Sequence, residues 1–234
     1  MTMKKIFLFA AVILLAACGN EDSSSSMVKK AISAAEEAVP SVESKNLGTI
    51  PSLQLQYKEA EKQVKKLLEE FEEKAKEEFK KGGSMEDALR ADVILKDLTK
   101  ETSEKLKKTY TEKIMAEVGR LDGKALNVDF DEAQFVSGNA VLHASADSSI
   151  TNPFIIAAEL KLAQPLTLDR WAWGVYVNCD YMDANGEKIS SRAEDVEDFK
   201  KLKAGDKVNI TLEPGYSLHG ENGAKLEKLY FKKQ

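Results

Sequence analysis

The sequence contains few of the residues from which metal sites and hydrolytic centres are built. Among its 234 residues there are two cysteines and two histidines. His143 and His219 lie far apart in the chain, so a zinc site of the usual Cys/His kind is not expected. No Gly-x-Ser-x-Gly motif, which carries the nucleophile in one large class of hydrolases, is present. We therefore expect no enzyme activity, no cofactor and no metal site.

Aromatic residues are also scarce, at 7%, whereas charged residues make up 31%. This balance indicates much exposed helix and a modest core. The net charge is -5, and it becomes about -7 when Lys4 and Lys5 are removed with an amino-terminal signal. Nucleic acids are bound through clustered Lys and Arg. An acidic chain is therefore not expected to bind them.

Long apolar runs are absent except at the amino terminus, where Lys4 and Lys5 precede the run Ile6 to Leu15. Taken as one block, Ile6 to Cys18 has 13 residues, whereas a membrane-spanning helix needs about 20. Ala16 and Ala17 then supply small residues for cleavage. The pattern predicts a secretory signal peptide over residues 1–17.

The segment Leu15-Ala16-Ala17-Cys18 resembles the lipobox of bacterial lipoproteins. The resemblance implies transfer of diacylglycerol to the Cys18 thiol, cleavage before Cys18 and acylation of the new amino terminus with a fatty acid such as palmitate. Two or three acyl chains hold a protein stably at a membrane. Gly19 follows the cysteine, which by the family's sorting rule implies the outer membrane of the cell envelope. The acidic pair Glu21-Asp22 loosely resembles a surface-export tag, so the periplasmic and the surface face both stay open.

Residues 18–50 are predicted to be a lipidated tether and linker with one short helix. Asn20 to Ser26 is Ser-rich and predicts a flexible spacer. Met27 to Val39 predicts a short, partly formed linker helix that stops before Pro40. Ser41 to Pro51 has no period and is interpreted as a second linker.

Residues 51–120 predict a long α-helical hairpin that resembles a coiled coil, with a turn at Gly82-Gly83 and a second helix closed by Gly119. Its charges are balanced, which suits i,i+4 pairs such as Glu61–Lys65 and Glu101–Lys105 and does not suit an anionic membrane surface. Either the hairpin packs within the chain or it is a protein-binding arm. The apolar stripe of the first helix is Tyr57, Ala60, Val64, Leu67, Leu68, Phe71, Ala75 and Phe79; that of the second is Met85, Leu89, Leu95, Leu98, Thr102, Leu106, Tyr110, Ile114 and Val118.

Residues 121–234 predict an antiparallel β-sandwich, so the fold class is α+β. Asn185-Gly186 predicts a hairpin turn. The run Val175–Leu212 weakly resembles the small immunoglobulin-like domains of bacterial lipoproteins, which implies a fold and no activity. Ile150–Thr167 fits least and is interpreted as a loop or partial helix. The candidate strands are Leu126–Phe130, Ala133–Ser145, Phe154–Ala163, Trp171–Met182, Lys207–Leu212 and Leu226–Lys232.

The histidines and the second cysteine do not form a convincing site. His143 is expected on a strand face. His219, in a loop over 214–223, could be grouped with Ser217 and Asp206 only on paper. Cys179 alternates with apolar neighbours, which predicts burial. With Cys18 lipidated, it would have no intrachain disulfide partner. Asp180, Asp183, Asn185 and Glu187 lack the ligand spacing of a calcium loop, so a turn explains them better.

Trp171 and Trp173 share one strand face, which most often indicates core packing. If the face is exposed, they are the best candidate binding residues of this region, because Trp concentrates at binding hot spots. The favoured function is a non-enzymatic protein-binding or scaffolding module with an envelope protein as partner. The alternative is a carrier or sensor of a small apolar ligand. An apolar cavity would favour the carrier, and an exposed apolar stripe on the helices would favour the protein binder.

Replacing Cys18 with Ser tests the anchor. Cells expressing the native chain should incorporate radioactive palmitate into it and retain it with the membrane fraction, whereas the Cys18→Ser chain should be unlabelled and released. A native chain without label, or one released as readily as the variant, would refute the lipid anchor.

Overall fold

The computed structural model describes residues 21–82, 84–166, 174–196 and 202–233. At residues 21–25, 74–75, 78–79, 87–88 and 91 it describes the backbone and not the side chains. It confirms the α+β class. A 3₁₀ turn, Gly215–Leu218, precedes the fourth helix. The helices are α1 Glu21–Ala38, α2 Ile50–Lys80, α3 Met85–Leu121 and α4 Glu221–Lys225; the strands are β1 Ala125–Leu126, β2 Val128–Phe130, β3 Phe135–Ala144, β4 Phe154–Leu162, β5 Tyr176–Met182, β6 Lys188–Asp195, β7 Lys207–Leu212 and β8 Lys228–Lys233.

Two compact units emerge, and each long helix contributes residues to both. The helical unit comprises residues up to Pro40 together with Leu55–Tyr110. The β unit comprises Ser41–Gln54 and the chain from Thr111 onward. It therefore includes the first turn of α2 and the last three turns of α3.

Buried side chains at helical spacing form the core of the helical unit. In α3 the predicted stripe is confirmed from Leu98 onward. Where α3 leaves the helical unit, at Tyr110, the rings of Tyr57 and Tyr110 meet edge to face with centroids 5.7 Å apart. Burial, followed by the charge of Glu36 on α1, raises the pKa of Tyr110 to about 12. The buried members are Val28, Ala31, Ala35, Ala60, Val64, Leu68, Leu98, Thr102, Leu106 and Tyr110.

The amino-terminal segment differs from the predicted spacer and linker helix. Helix α1 covers Glu21–Ala38, so the Ser-rich stretch is helical from its first described residue, and the helix ends before Pro40 as predicted. Val28, Ala31 and Ala35 are buried, so α1 is an integral part of the helical unit. Composition predicted a flexible segment because Ser is a poor helix former, but burial of one helix face outweighs that weak local preference.

Two four-stranded sheets build the β unit, in the orders β1-β3-β4-β7 and β2-β8-β5-β6. Pairing is antiparallel except between β2 and β8, which run parallel. Burial alternates along β4 and β7, as expected for strands with one face toward a core. In β5 the predicted inward set is confirmed: Val177, Cys179 and Tyr181 are fully buried.

The predicted strand Leu126–Phe130 is divided between the two sheets. Leu126 pairs with Ala140 in the first sheet, whereas Val128 pairs with Leu229 in the second. Gly138 of β3 is crowded from both sheets: a Cβ atom would lie 2.8 Å from Leu160 on the neighbouring strand β4 and 3.3 Å from Val128 on β2 of the other sheet. A side chain at position 138 would displace both neighbours, which explains a glycine inside this strand.

The predicted linker over 41–51 is part of the β unit. Ser44 Oγ and Asn46 Nδ2 both donate to the carbonyl oxygen of Leu226, at 3.3 and 3.2 Å. Gln54 is 1% exposed; its Nε2 donates to the Ile150 carbonyl oxygen at 2.9 Å, and its Oε1 accepts from the Gly220 N–H at 3.0 Å. These bonds satisfy three distant backbone groups, so the segment is fixed by polar contacts that its composition does not reveal.

Several predicted boundaries and elements of the α+β fold are wrong. Helix α3 continues through Gly119 to Leu121. The candidate strand Phe154–Ala163 is confirmed as β4, Phe154–Leu162, so the alternative interpretation of Ile150–Thr167 as a loop or partial helix is wrong there. The connection after the Asn185-Gly186 turn is the edge strand β6, whose mostly polar residues carry no alternating pattern. The loop predicted over 214–223 holds the 3₁₀ turn and α4, where a Cβ on Gly223 would collide with the Leu218 carbonyl oxygen.

Gln54→Leu tests whether buried hydrogen bonds hold the β unit together. The substitution keeps the volume but leaves the Ile150 carbonyl and the Gly220 N–H without partners, at about 1–3 kcal/mol each. We expect the free energy of unfolding in urea to fall by about 2–4 kcal/mol. Gln63→Leu, which removes only a bond to Glu59 within α2, serves as control and should cost less than about 1 kcal/mol. Equal losses would contradict the assignment.

Candidate functional site

The residues that the sequence marked most strongly lie outside the described part of the chain. Cys18, the predicted lipidation site, precedes residue 21, and Trp171 and Trp173 fall between residues 166 and 174. Their roles stay predictions.

His143 lies on strand β3, as expected, and pairs with a carboxylate. Its Nδ1 is 3.0 Å from Oδ1 of Asp122, and both side chains are about half exposed. The same carboxylate oxygen accepts from the N–H of Ala144 at 3.2 Å. Asp122 comes directly after α3, so the pair joins the end of that helix to β3. This link between two elements of the fold is a structural role for the His143–Asp122 pair.

The Ser217, His219 and Asp206 grouping gains no support. Ser217 lies within the 3₁₀ turn and donates its N–H to the Pro214 carbonyl oxygen. The ring of His219 neighbours that of Tyr216, with centroids 6.2 Å apart. Asp206 accepts from the Lys203 N–H at 2.8 Å, which closes the turn before β7. Each residue stabilises its own local turn.

Cys179 is a core residue, as predicted. It is fully buried, and burial, followed by the charge of Asp180, raises the pKa of its thiol well above the ordinary value. A thiol held protonated in this way is a poor nucleophile and a poor metal ligand.

Asp180 and Asp183 also act structurally. Asp180 is 5% exposed, and its carboxylate lies between the Nζ atoms of Lys232, at 2.7 Å, and Lys188, at 3.4 Å. Asp183 Oδ1 accepts from the N–H groups of Asn185 and Glu187, both at 2.8 Å. The segment Asp180–Glu187, whose spacing suggested a calcium loop, therefore forms a turn, as the sequence predicted. Among the residues that the structure covers, no three metal-ligating side chains cluster.

Two surface depressions among the described residues are lined by polar and apolar atoms in comparable shares. One, of about 560 Å³, lies along α1 beside Lys29, Lys30 and Glu37. The other, of about 220 Å³, is in the β unit beside Gln134, Gln164 and Lys233. A small apolar ligand binds in a concave, largely apolar pocket. Neither depression has that character.

Helix α3 begins with a row of exposed apolar side chains, which we call the apolar ridge: Met85, Leu89 and Val93. They are 77%, 61% and 57% exposed. A helix turns about 100° per residue, so a spacing of four residues advances each member about 40° and keeps all three on one side. Single exposed apolar residues are ordinary, but three in consecutive turns form a continuous strip.

The ridge is not the exposed beginning of the buried stripe. Leu98, which is 6% exposed, follows Val93 by five residues and is therefore turned by about 140° around the helix. The sequence placed Met85 and Leu89 in one apolar stripe with Leu98, and that grouping is wrong because the first two are exposed and Leu98 is buried. Val93, which continues the four-residue spacing of Met85 and Leu89, was not included in the predicted stripe, although this spacing is visible in the sequence.

Ion pairs border the ridge along the helix. Arg90 Nη2 bonds Glu86 Oε1, and Lys96 Nζ bonds Asp92 Oδ2, both at 2.7 Å. At about 100° per residue, Glu86 and Arg90 flank Val93 on one side, while Asp92 flanks Met85 on the other. An apolar strip with a charged border is the usual composition of a protein-binding helix face.

No described helix is both long enough and apolar enough to cross a membrane. Comparisons of the chain with protein-family models, with curated proteins and with solved structures found no match.

Proposed function

We propose that this chain is a lipid-anchored cell-envelope protein that binds other protein through the apolar ridge and acts as a scaffold without catalysing a reaction. The observation that carries the proposal is the exposure of Met85, Leu89 and Val93 on one side of α3. Covering such a strip removes apolar surface from water, which stabilises an association by about 25 cal/mol per Å².

A protein partner accounts for the ridge better than a small ligand does. The ridge is convex, since it follows one helix, whereas carriers enclose their ligand in a pocket. The two depressions beside Lys29 and Gln134 are not largely apolar. The alternative function, a carrier or sensor of a small apolar ligand, has no comparable support among the described residues.

The proposal includes a helical hairpin for α2 and α3. The two helices are separated by the short segment 81–84. Tyr57 and Tyr110, whose rings are in contact, lie at similar distances along the chain from that segment. Contact between residues so placed is what antiparallel neighbours produce. The turn of such a hairpin lies next to Met85, so the ridge begins at its tip.

For the β unit the proposal is a two-sheet sandwich. Alternating burial along β4 and β7 and the close approach at Gly138 support it. The run that resembles an immunoglobulin-like domain, Val175–Leu212, contains β5, β6 and β7. Strands β5 and β6 pair in one sheet, and β7 lies in the other. The proposal takes over the two-sheet architecture of that family and not its strand order.

The proposed anchor is the lipidated Cys18, in the outer membrane. Only Gly19 and Asn20 separate Cys18 from Glu21, the first described residue of α1. A chain extends by at most about 3.6 Å per residue, so the first turn of α1 would lie within roughly 11 Å of the lipid-bearing residue. The helical unit would thus be kept at the membrane surface.

Leu89→Asp tests binding through the ridge. Placing a charge at its centre should reduce crosslinking to envelope proteins in intact cells at least tenfold. The side chain is exposed, so the free energy of unfolding should change by less than about 0.5 kcal/mol. Tyr216→Asp replaces another exposed side chain, outside α3, and is the matched control. Unchanged crosslinks with Leu89→Asp, or equal losses with both variants, would refute the proposal.

A further inference from the structure

We propose that the partner of the apolar ridge is the ridge of a second copy of this chain, bound antiparallel about a two-fold axis at Leu89. This inference rests on the proposed function and specifies its partner. It is carried by the sequence of residues 85–93. When two copies of this segment lie antiparallel, the apolar side chains of one face those of the other, and acidic side chains face basic ones.

The apolar side chains match when the segment is reversed. Met85 and Val93 lie four residues before and after Leu89, which is about 6 Å in each direction along a helix. In an antiparallel pair centred on Leu89, the long side chain of Met85 is therefore level with the short one of Val93 in the second copy. A symmetric dimer uses the same patch on both copies, so this match occurs twice.

The charges along one border also match. Antiparallel pairing brings the border that carries Glu86 and Arg90 against the same border of the second copy. Glu86 is then displaced by about two residues, or 3 Å, from Arg90 of the second copy. Both side chains are exposed and span such an offset, so reciprocal Glu86–Arg90 pairs would form on either side of the axis.

A contact of this size is weak in solution. Stable, specific interfaces bury about 1,200 Å² or more in total, and three side chains from each copy cover less than that. Two copies anchored in one membrane by Cys18 would be confined to a thin layer, which raises their effective concentration. We therefore expect dimers in intact envelopes and monomers in dilute detergent.

Disulfide crosslinking of the full chain in intact envelopes tests the geometry. Helix axes in contact are about 8–10 Å apart and Cα atoms lie about 2.3 Å from each axis, so the two Leu89→Cys positions fall within disulfide range. The Val93→Cys positions are separated by about 12 Å along the axes and do not. The native Cys179 is buried and does not contribute.

Under mild oxidant, Leu89→Cys should give at least ten times more disulfide dimer than Val93→Cys. The dimer yield of the native chain is subtracted from both. The double variant Met85→Cys with Val93→Cys should crosslink as well as Leu89→Cys. Glu86→Arg should lower the Leu89→Cys yield severalfold, and adding Arg90→Glu should restore it.

Three results would overturn the inference. Equal yields from Leu89→Cys and Val93→Cys would indicate a parallel or unspecific contact. Failure of the double reversal to restore the yield would exclude the reciprocal ion pairs. Absence of dimer with every cysteine variant, while Leu89→Asp still abolishes crosslinks to other envelope proteins, would refute self-association but leave the proposed function intact.

Discussion

A helix that packs within a small unit buries one stripe of its surface, and α3 carries apolar side chains on two. The stripe that begins at Leu98 is buried, whereas the ridge from Met85 to Val93 faces solvent. Intramolecular packing accounts for the first set and leaves the second unexplained. The ridge therefore requires a functional explanation, and the proposals about partner and self-association depend on this division of one helix.

The chemistry-bearing residues of the β unit are used for structure. The thiol of Cys179 is shielded by burial, Asp180 is neutralised by two lysines, and Asp183 closes a turn. His143 pairs with Asp122 at the end of α3. These four side chains therefore act structurally, and the buried hydrogen bonds of Gln54 fix the first turn of α2 within the β unit.

Periodicity revealed the parts of the fold that are decided by burial. Alternation identified the inward face of β5, and helical spacing identified the stripe from Leu98 to Val118, because both patterns are imposed directly by a core. Edge strand β6 was missed because a strand with little buried surface needs no apolar alternation. Ser44 and Asn46 were taken for linker residues because their acceptor, the Leu226 carbonyl, lies about 180 positions away.

The candidate site shows the same limit. Spacing alone grouped Met85 and Leu89 with Leu98 in one apolar stripe, since four-residue steps connect many residues of a long helix. Following the 100° turn per residue separates the ridge from Leu98, but which of the two faces is covered depends on packing. Cys18 was recognised by its motif, which is local in sequence, and the structure of residues 21–38 then shortened the predicted spacer behind it.

Solution footprinting of the full chain tests the two-faced nature of α3 most directly. Carbene labelling in dilute detergent, followed by mass spectrometry, should modify Met85, Leu89 and Val93 several times faster than Leu98 and Leu106 of the same helix. Labelling in intact envelopes should protect the three ridge residues and leave Tyr216, an exposed residue outside α3, unchanged. Protection of the ridge already in detergent, or equal labelling of both sets of residues, would contradict this account.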